Sequence, residues 1–299
     1  MPEERTLWLG PGHALVEALP AAGRVGGDGF AEAFLNNDLA EWTWPGQDVP
    51  MRVVGNLTLT FWSEGNAMPA PIIIGGGPGE GYHFFNQFGT DRGFIESYAV
   101  EYASALPSQD VVSYTEVFAM PDGGLMVEPG DRLRLLLTNL VLDDAEGDGP
   151  SILFGGDTPS RIEFTQTCAQ ARTWSVLESA STPLSIPFHH GLLTGAVQPT
   201  AGVNHQDVPF TLHAETDRIT ITMVQGADRN PLKDDMDITV LDGAGQQVWS
   251  IGSPYTDEIG TLWRENLGSM PPGEYVARVN SYSGHAYEGT ITVVQEVAA

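Results

Sequence analysis

The sequence predicts an all-β chain of two jelly-roll-like antiparallel β-sandwich domains joined by a long connection. Three observations carry that expectation. Apolar and polar residues alternate over short runs, the period of a half-buried strand. Clusters of Gly, Pro and Asp punctuate those runs, as turns between antiparallel strands do. No stretch alternates strand with helix, so the parallel sheet of a nucleotide-binding fold is not expected.

Residues 1–167 make the first sandwich. Val53–Trp62 (VVGNLTLTFW) and Arg132–Thr138 (RLRLLLT) alternate as half-buried strands, and Ser151–Phe154 and Arg161–Thr165 are shorter runs of the same kind. Turns are expected at Pro121–Gly124 and Glu128–Asp131. Weak helical periodicity predicts short helices over Ala31–Leu39, Ile95–Ala105 and Ala169–Ser179. Residues 168–203 carry only Arg172 and Glu178 as charges and are rich in Ser, Thr, Pro and Gly, the composition of a linker or crossover. Residues 204–299 make the second sandwich. Its strands are Arg218–Val224, Asp237–Leu241, Gln247–Ile251, Tyr275–Tyr282 and Thr290–Gln295, with turns at Asp242-Gly243 and Pro271–Gly273.

The run PIIIGGGPGEGYHFF (71–85) invites a nucleotide-binding reading, and the spacing rejects it. A dinucleotide fingerprint needs Gly at its first, third and sixth places. Counting from Gly75 the sixth place is Glu80, from Gly76 the third is Pro78, and from Gly77 the sixth is Tyr82. A P-loop would end in Gly-Lys-Ser/Thr, and the only lysine is Lys233. The segment reads as a loop between β segments, with backbone capture of an anion as the competing role.

Thirty-nine acidic residues against 13 basic ones give a net charge of −26. The excess is spread over both sandwiches: 24 acids and 7 bases in residues 1–167, 14 and 5 in residues 204–299. Such a surface excludes nucleic acid as a partner, because phosphate recognition needs a basic face. It suits salty surroundings, where screening is strong, and so a source of archaeal or halophilic kind. One Lys against 12 Arg points the same way or to a GC-rich genome. Cys168 is the single cysteine, expected as a small buried hydrophobe, so no internal disulfide forms. No stretch approaches the length of a membrane span, so direct membrane insertion is not expected. The start Met-Pro-Glu-Glu-Arg is not a signal peptide. The content nonetheless points to an extracellular or cell-surface protein whose export signal this chain lacks.

Asp144, Glu146 and Asp148, followed by Gly149, alternate carboxylates ahead of a sharp turn, a pattern that can wrap a hard cation in oxygens. An EF-hand would place Glu where Gly155 stands, so a looser calcium loop completed by Asp157 is the expectation, against a solvated acidic hairpin. Asp235 and Asp237 share a face if extended and are the second candidate for calcium, against turn-forming Asp at a strand entry. Adjacent His189 and His190 would face opposite ways in a strand, which disfavours a transition-metal site. Trp42 and Trp44 share one face beside a turn and are the candidate platform for a glycan, against packing over a sandwich core. Asn56-Leu57-Thr58 is a glycosylation sequon inside an expected strand. There is no Gly-x-Ser-x-Gly elbow and no His-Glu-x-x-His pair.

Two resemblances bear on function. DDMDITVLDGAGQQVW (234–249) and LGSMPPGEYVARVNSYSGHAYEGTITVV (267–294) resemble the pre-peptidase C-terminal (PPC) domain, a sandwich appended to secreted peptidases. Asp-x-Asp opens a strand, a Gly-rich hairpin follows, and Pro-x-Gly-x-Tyr precedes the next strand. The resemblance implies an extracellular module, with calcium, collagen or polysaccharide among the ligands known in the family. GNLTLTFW (55–62), VEPGDRLRLLL (127–137) and ILFGGDTPSRIEF (152–164) are similar to jelly-roll domains of X-prolyl peptidases and archaeal surface proteins, without their attached catalytic domain. The reading is a non-catalytic protein that binds a glycan or protein or self-assembles, braced by calcium. The competing readings are a secreted glycan- or peptide-active hydrolase with loop-borne residues, and a structural subunit of a surface layer or filament.

Overall fold

The computed structural model describes residues 2–25, 31–33, 37–46, 48–64, 71–72, 79–80, 82–95, 100–102, 111–140, 151–187, 205–226, 236–252, 257–281 and 287–299. Its contacts divide the chain into two units, residues 1–91 with 95–171 and residues 172–299 with 92–94. Among the described residues the only helical turns are short 3-10 pieces, Pro11–His13 and Arg264–Ser269, and no helix is long and apolar enough to cross a membrane.

The chain opens with β1 (Glu3–Leu9), β2 (Leu15–Val16), β3 (Gly23–Val25), β4 (Ala31–Ala33), β5 (Asn37–Trp44), β6 (Met51–Glu64), β7 (Pro71–Ile72) and β8 (Gly79–Glu80). Then follow β9 (Tyr82–Thr90), β10 (Gly93–Ile95), β11 (Val100–Tyr102), β12 (Val112–Ala119), β13 (Leu125–Val127), β14 (Leu133–Leu140), β15 (Ser151–Phe154) and β16 (Arg161–Cys168). The central strand β6 has β16 and β15 along one edge and β13 and β12 along the other. Joining each of these broken pairs into one strand gives a sheet in the order β1, β16/β15, β6, β12/β13. The facing sheet runs β5, β14, β9, with β10 and β11 against β9. In chain order these are the first, eighth, third and sixth strands over the second, seventh, fourth and fifth, the winding of a jelly roll.

The second unit repeats that winding without breaks. Its strands are β17 (Trp174–Ile186), β18 (His205–Leu212), β19 (Arg218–Gln225), β20 (Met236–Leu241), β21 (Gln247–Ile251), β22 (Glu258–Trp263), β23 (Gly273–Ser281) and β24 (Tyr287–Ala298). One sheet is β17-β24-β19-β22 and the other β18-β23-β20-β21, again first-eighth-third-sixth over second-seventh-fourth-fifth. The protein is therefore all-β, with two jelly rolls in tandem.

Period-2 alternation explains both cores. Leu57, Leu59 and Phe61 of β6 meet Ile162 and Phe164 of β16, Leu7 and Leu9 of β1, and Leu133, Leu135 and Leu137 of β14. In the second unit Ile219, Ile221 and Met223 of β19 pack with Met236, Ile238 and Val240 of β20 and Ile291 and Val293 of β24. The PPC-like motifs have local physical roles here. The Asp242 carboxylate accepts the Ala244 and Gln246 N–H groups and closes the β20–β21 hairpin, and the Tyr275 hydroxyl donates to Pro271 O at 2.6 Å.

Several expectations are corrected. The three expected helices are not helical where described. Ala31–Ala33 and Asn37–Trp44 form the paired strands β4 and β5, and Ile95 and Val100–Tyr102 belong to β10 and β11 on β9. Of the expected connection, Trp174–Ile186 is a 13-residue strand laddered along β24. A ladder this long outweighs the weak helical preference of its sequence. Cys168 ends β16 in solvent rather than in the core. The flanks of the glycine cluster pair with each other as β7 and β8, Pro71 opposite Glu80 and Ile72 opposite Gly79. The two flanks thus run antiparallel, and residues 73–78 between them lie outside the described residues.

Candidate functional site

Trp42 and Trp44 do share a face, and it is the inner one. Trp42 is 0% exposed and Trp44 6%. The Trp42 indole N–H donates to Gly10 O at 3.3 Å and its ring lies 5.4 Å from that of His13. Neither ring offers a face to a sugar, so the glycan-platform expectation is replaced by core packing. The reason is local: β5 lies beside β14, with Trp42 opposite Leu135 and Trp44 opposite Leu133, both inward leucines.

Of the acidic candidates, Asp144, Glu146, Asp148 and Asp235 lie outside the described residues, as do His189 and His190. Asp157 is exposed in the turn after β15, in the first unit. Asp237 lies on β20 of the second unit, opposite Asn280, with its carboxylate pressed against Gly252. A Cβ on Gly252 would come within 2.4 Å of Asp237 Oδ1, so a larger residue there has to displace the Asp237 carboxylate. Among the described residues no group of three or more His, Cys, Asp or Glu side chains converges as a metal site would require.

Two features that residue spacing did not reveal stand out in the second unit. The first is a concavity of about 330 Å³ on the outer face of the β18-β23-β20-β21 sheet. Pro209, Val276 and Leu241, outward-facing on three neighbouring strands, form its apolar floor. At one end Arg278 grips Asp207 through two parallel bonds of 2.7 and 2.9 Å. Those bonds hold the Asp207 carboxyl below its ordinary range and raise the guanidinium. At the other end Glu274 accepts the Thr211 hydroxyl at 2.9 Å beside the Asp242 turn. Burial, and after it the charge of Asp242, pushes the Tyr275 phenol up.

The second feature is strand β17. Its residues 175–181 are exposed, which no other long strand matches among the described residues, and Val176 and Leu177 are 62% and 42% exposed. Its start is nonetheless held firmly. Arg218 reaches across β24 to stack 4.0 Å over the Trp174 ring while bonding Glu296 at 2.6 Å. Glu178 meets His213 Nε2 at 2.5 Å and accepts from Gln295 Nε2 at 3.3 Å. Gln295, 2% exposed, is the hub: its oxygen accepts the His213 N–H and the Thr216 hydroxyl, and its nitrogen also donates to Thr211 O.

No family model matches the sequence, and no curated protein matches it. Similar solved structures include an aminopeptidase from a marine sediment Thaumarchaeota archaeon, at 10% identity and a TM-score of 0.39 over 55% of this chain and 37% of that one. A CocE/NonD family hydrolase from Staphylococcus aureus matches at 13% identity and a TM-score of 0.35, over 56% of this chain and 37% of that one. A Sulfolobus turreted icosahedral virus structure matches at 8% identity and a TM-score of 0.23, over 92% of this chain and 59% of that one. The chain thus spans little more than a third of the first two proteins. Likenesses at this level add nothing to the winding already traced and carry no argument about activity.

Proposed function

We propose that this chain is a non-catalytic assembly subunit that engages a neighbouring molecule by strand addition at the outer edge of β17. The observation that carries the reading is the state of that edge. Among the described residues β17 pairs only with β24. An edge strand displaying unpaired N–H and C=O groups is a template for another strand, and proteins that avoid such pairing guard their edges with charge, Pro or a cover. Here the guard is partial. The Gln206 side chain covers the C-terminal end: Ser185 N–H donates to its oxygen at 2.8 Å and its nitrogen donates to Pro183 O at 3.0 Å. Pro183 itself has no N–H to offer. From Ser175 to Ser181 the edge carries one charged residue, Glu178, within a chain of net charge −26.

The geometry separates a blocking substitution from a destabilising one. Gln206 bonds Pro183 and Ser185, so from Glu178 onward, past the register slip at Leu177, the odd-numbered residues of β17 direct their backbone groups outward. Gly226 N–H donates to Glu288 O, which assigns even residues of β24 to β19 and odd ones to β17, in agreement. Ser181→Pro removes an outward N–H, whereas Ala180→Pro removes one that bonds β24. In sedimentation velocity at about 1 M salt, where charge repulsion is screened to about 3 Å, the wild type is expected to gain mass with concentration. Ser181→Pro should stay monomeric with its melting temperature nearly unchanged, and Ala180→Pro should melt lower. A wild type that stays monomeric at every concentration, or a Ser181→Pro protein that assembles like it, would contradict the reading.

The concavity on the opposite sheet favours a second reading, in which the same subunit holds a small polyhydroxylated ligand. Its apolar floor and flanking carboxylates match the apolar face and hydroxyl rim of a sugar.

A further inference from the structure

We infer that the strand added at this edge is β17 of a second copy of the chain, antiparallel to the first about a two-fold axis through Ala180. This rests on the assembly reading above and names its partner. The outward backbone groups are those of Ser179 and Ser181 before the cover begins at Pro183. A two-fold centred on Ala180 maps that window onto itself. Ser179 of each copy then exchanges an N–H···O=C pair with Ser181 of the other, and Ala180 faces Ala180 as a non-hydrogen-bonded pair.

Two further features lie at equal distances on either side of the same residue. The register slips between Val176 and Glu178, placing a bulge at Leu177, three residues before Ala180. Gln206 bonds Pro183, three residues after it. A bulge bends its strand, so each copy turns away where the other's Gln206 stands. Glu178 falls opposite Thr182 and not opposite another Glu178; the two carboxylates lie roughly 14 Å apart along the ladder at 3.4 Å per residue, beyond the Debye length of about 8 Å at physiological salt. Across the rest of an acidic surface two copies repel each other. The paired window is short, so the dimer is expected to be weak, with a Kd of about 1 μM or higher.

The test uses the full chain with Cys168→Ser, a change at an exposed position. Ala180→Cys is added to one sample and Ser185→Cys, also exposed, to another. In the inferred register the Ala180 Cα atoms lie about 4.5 Å apart, within disulfide reach, whereas Ser185 lies roughly 34 Å from its counterpart along the ladder. Under mild oxidation the Ala180→Cys protein should form a disulfide-linked dimer, and Ser185→Cys should stay monomeric. Equal cross-linking of both, or of neither, in a protein that still gains mass with concentration would overturn the two-fold register and leave the assembly reading standing. Monomers throughout, with capture of a different protein's strand, would also overturn it. No mass gain and no capture would remove the assembly reading as well.

Discussion

Trp42→Ala is expected to destabilise the first unit by about 4 kcal/mol, the cost of emptying a fully buried indole site. The ring is 0% exposed, packs against His13 and satisfies the Gly10 carbonyl. Its loss therefore combines a cavity with a carbonyl left unpaired. For a unit of this size the melting temperature should fall by roughly 10–15 °C. Calorimetry is the suitable measurement, because the transition of the second unit serves as an internal reference. A Trp42→Ala protein as stable as the wild type, with altered sugar binding, would restore the glycan-platform role that burial argues against.

Gln295→Leu is expected to cost about 3 kcal/mol in the second unit. One substitution strands the His213 N–H, the Thr216 hydroxyl and the Thr211 carbonyl, in a position where Gln295 is 2% and Thr216 1% exposed. The urea midpoint should drop with little change in m. Adding Thr216→Val should recover part of the loss, since removing both partners of a buried bond is milder than removing one. Additive costs in the double variant would show that the two side chains do not work as a unit. The same substitution removes one of the bonds to Glu178 and should loosen the start of β17.

Much of the fold was legible from alternation. VVGNLTLTFW, RLRLLLT and RITITMV sit in β6, β14 and β19, with Leu57, Leu59 and Phe61, Leu133, Leu135 and Leu137, and Ile219, Ile221 and Met223 turned inward. Strand β17 was not legible over residues 175–181, because a stretch exposed on both faces has no hydrophobic period to read; Leu184 and Ile186 at its end turn into the core. It is defined by its ladder to β24, more than a hundred residues away. The Trp42–Trp44 spacing correctly placed both rings on one face, but spacing does not say whether that face looks inward. That depends on the leucines of β14 across the ladder. The Asp207–Arg278 grip joins residues 71 apart and follows from β18 lying beside β23, a matter of winding. One signal was present: a run of Ser, Thr and apolar residues nearly free of charge, in a chain this acidic, is the compositional feature on which the proposed strand addition rests.

The most direct measurement is amide hydrogen exchange along β17 as a function of protein concentration. In dilute solution the Ser179 and Ser181 amides, turned away from β24, should exchange freely while the Ala180 amide is protected. At high concentration and high salt Ser179 and Ser181 should slow by roughly tenfold, the protection expected when about nine-tenths of the edges are paired. Exchange at Ser179 and Ser181 that stays fast while the protein gains mass would contradict the account and place the assembly contact elsewhere.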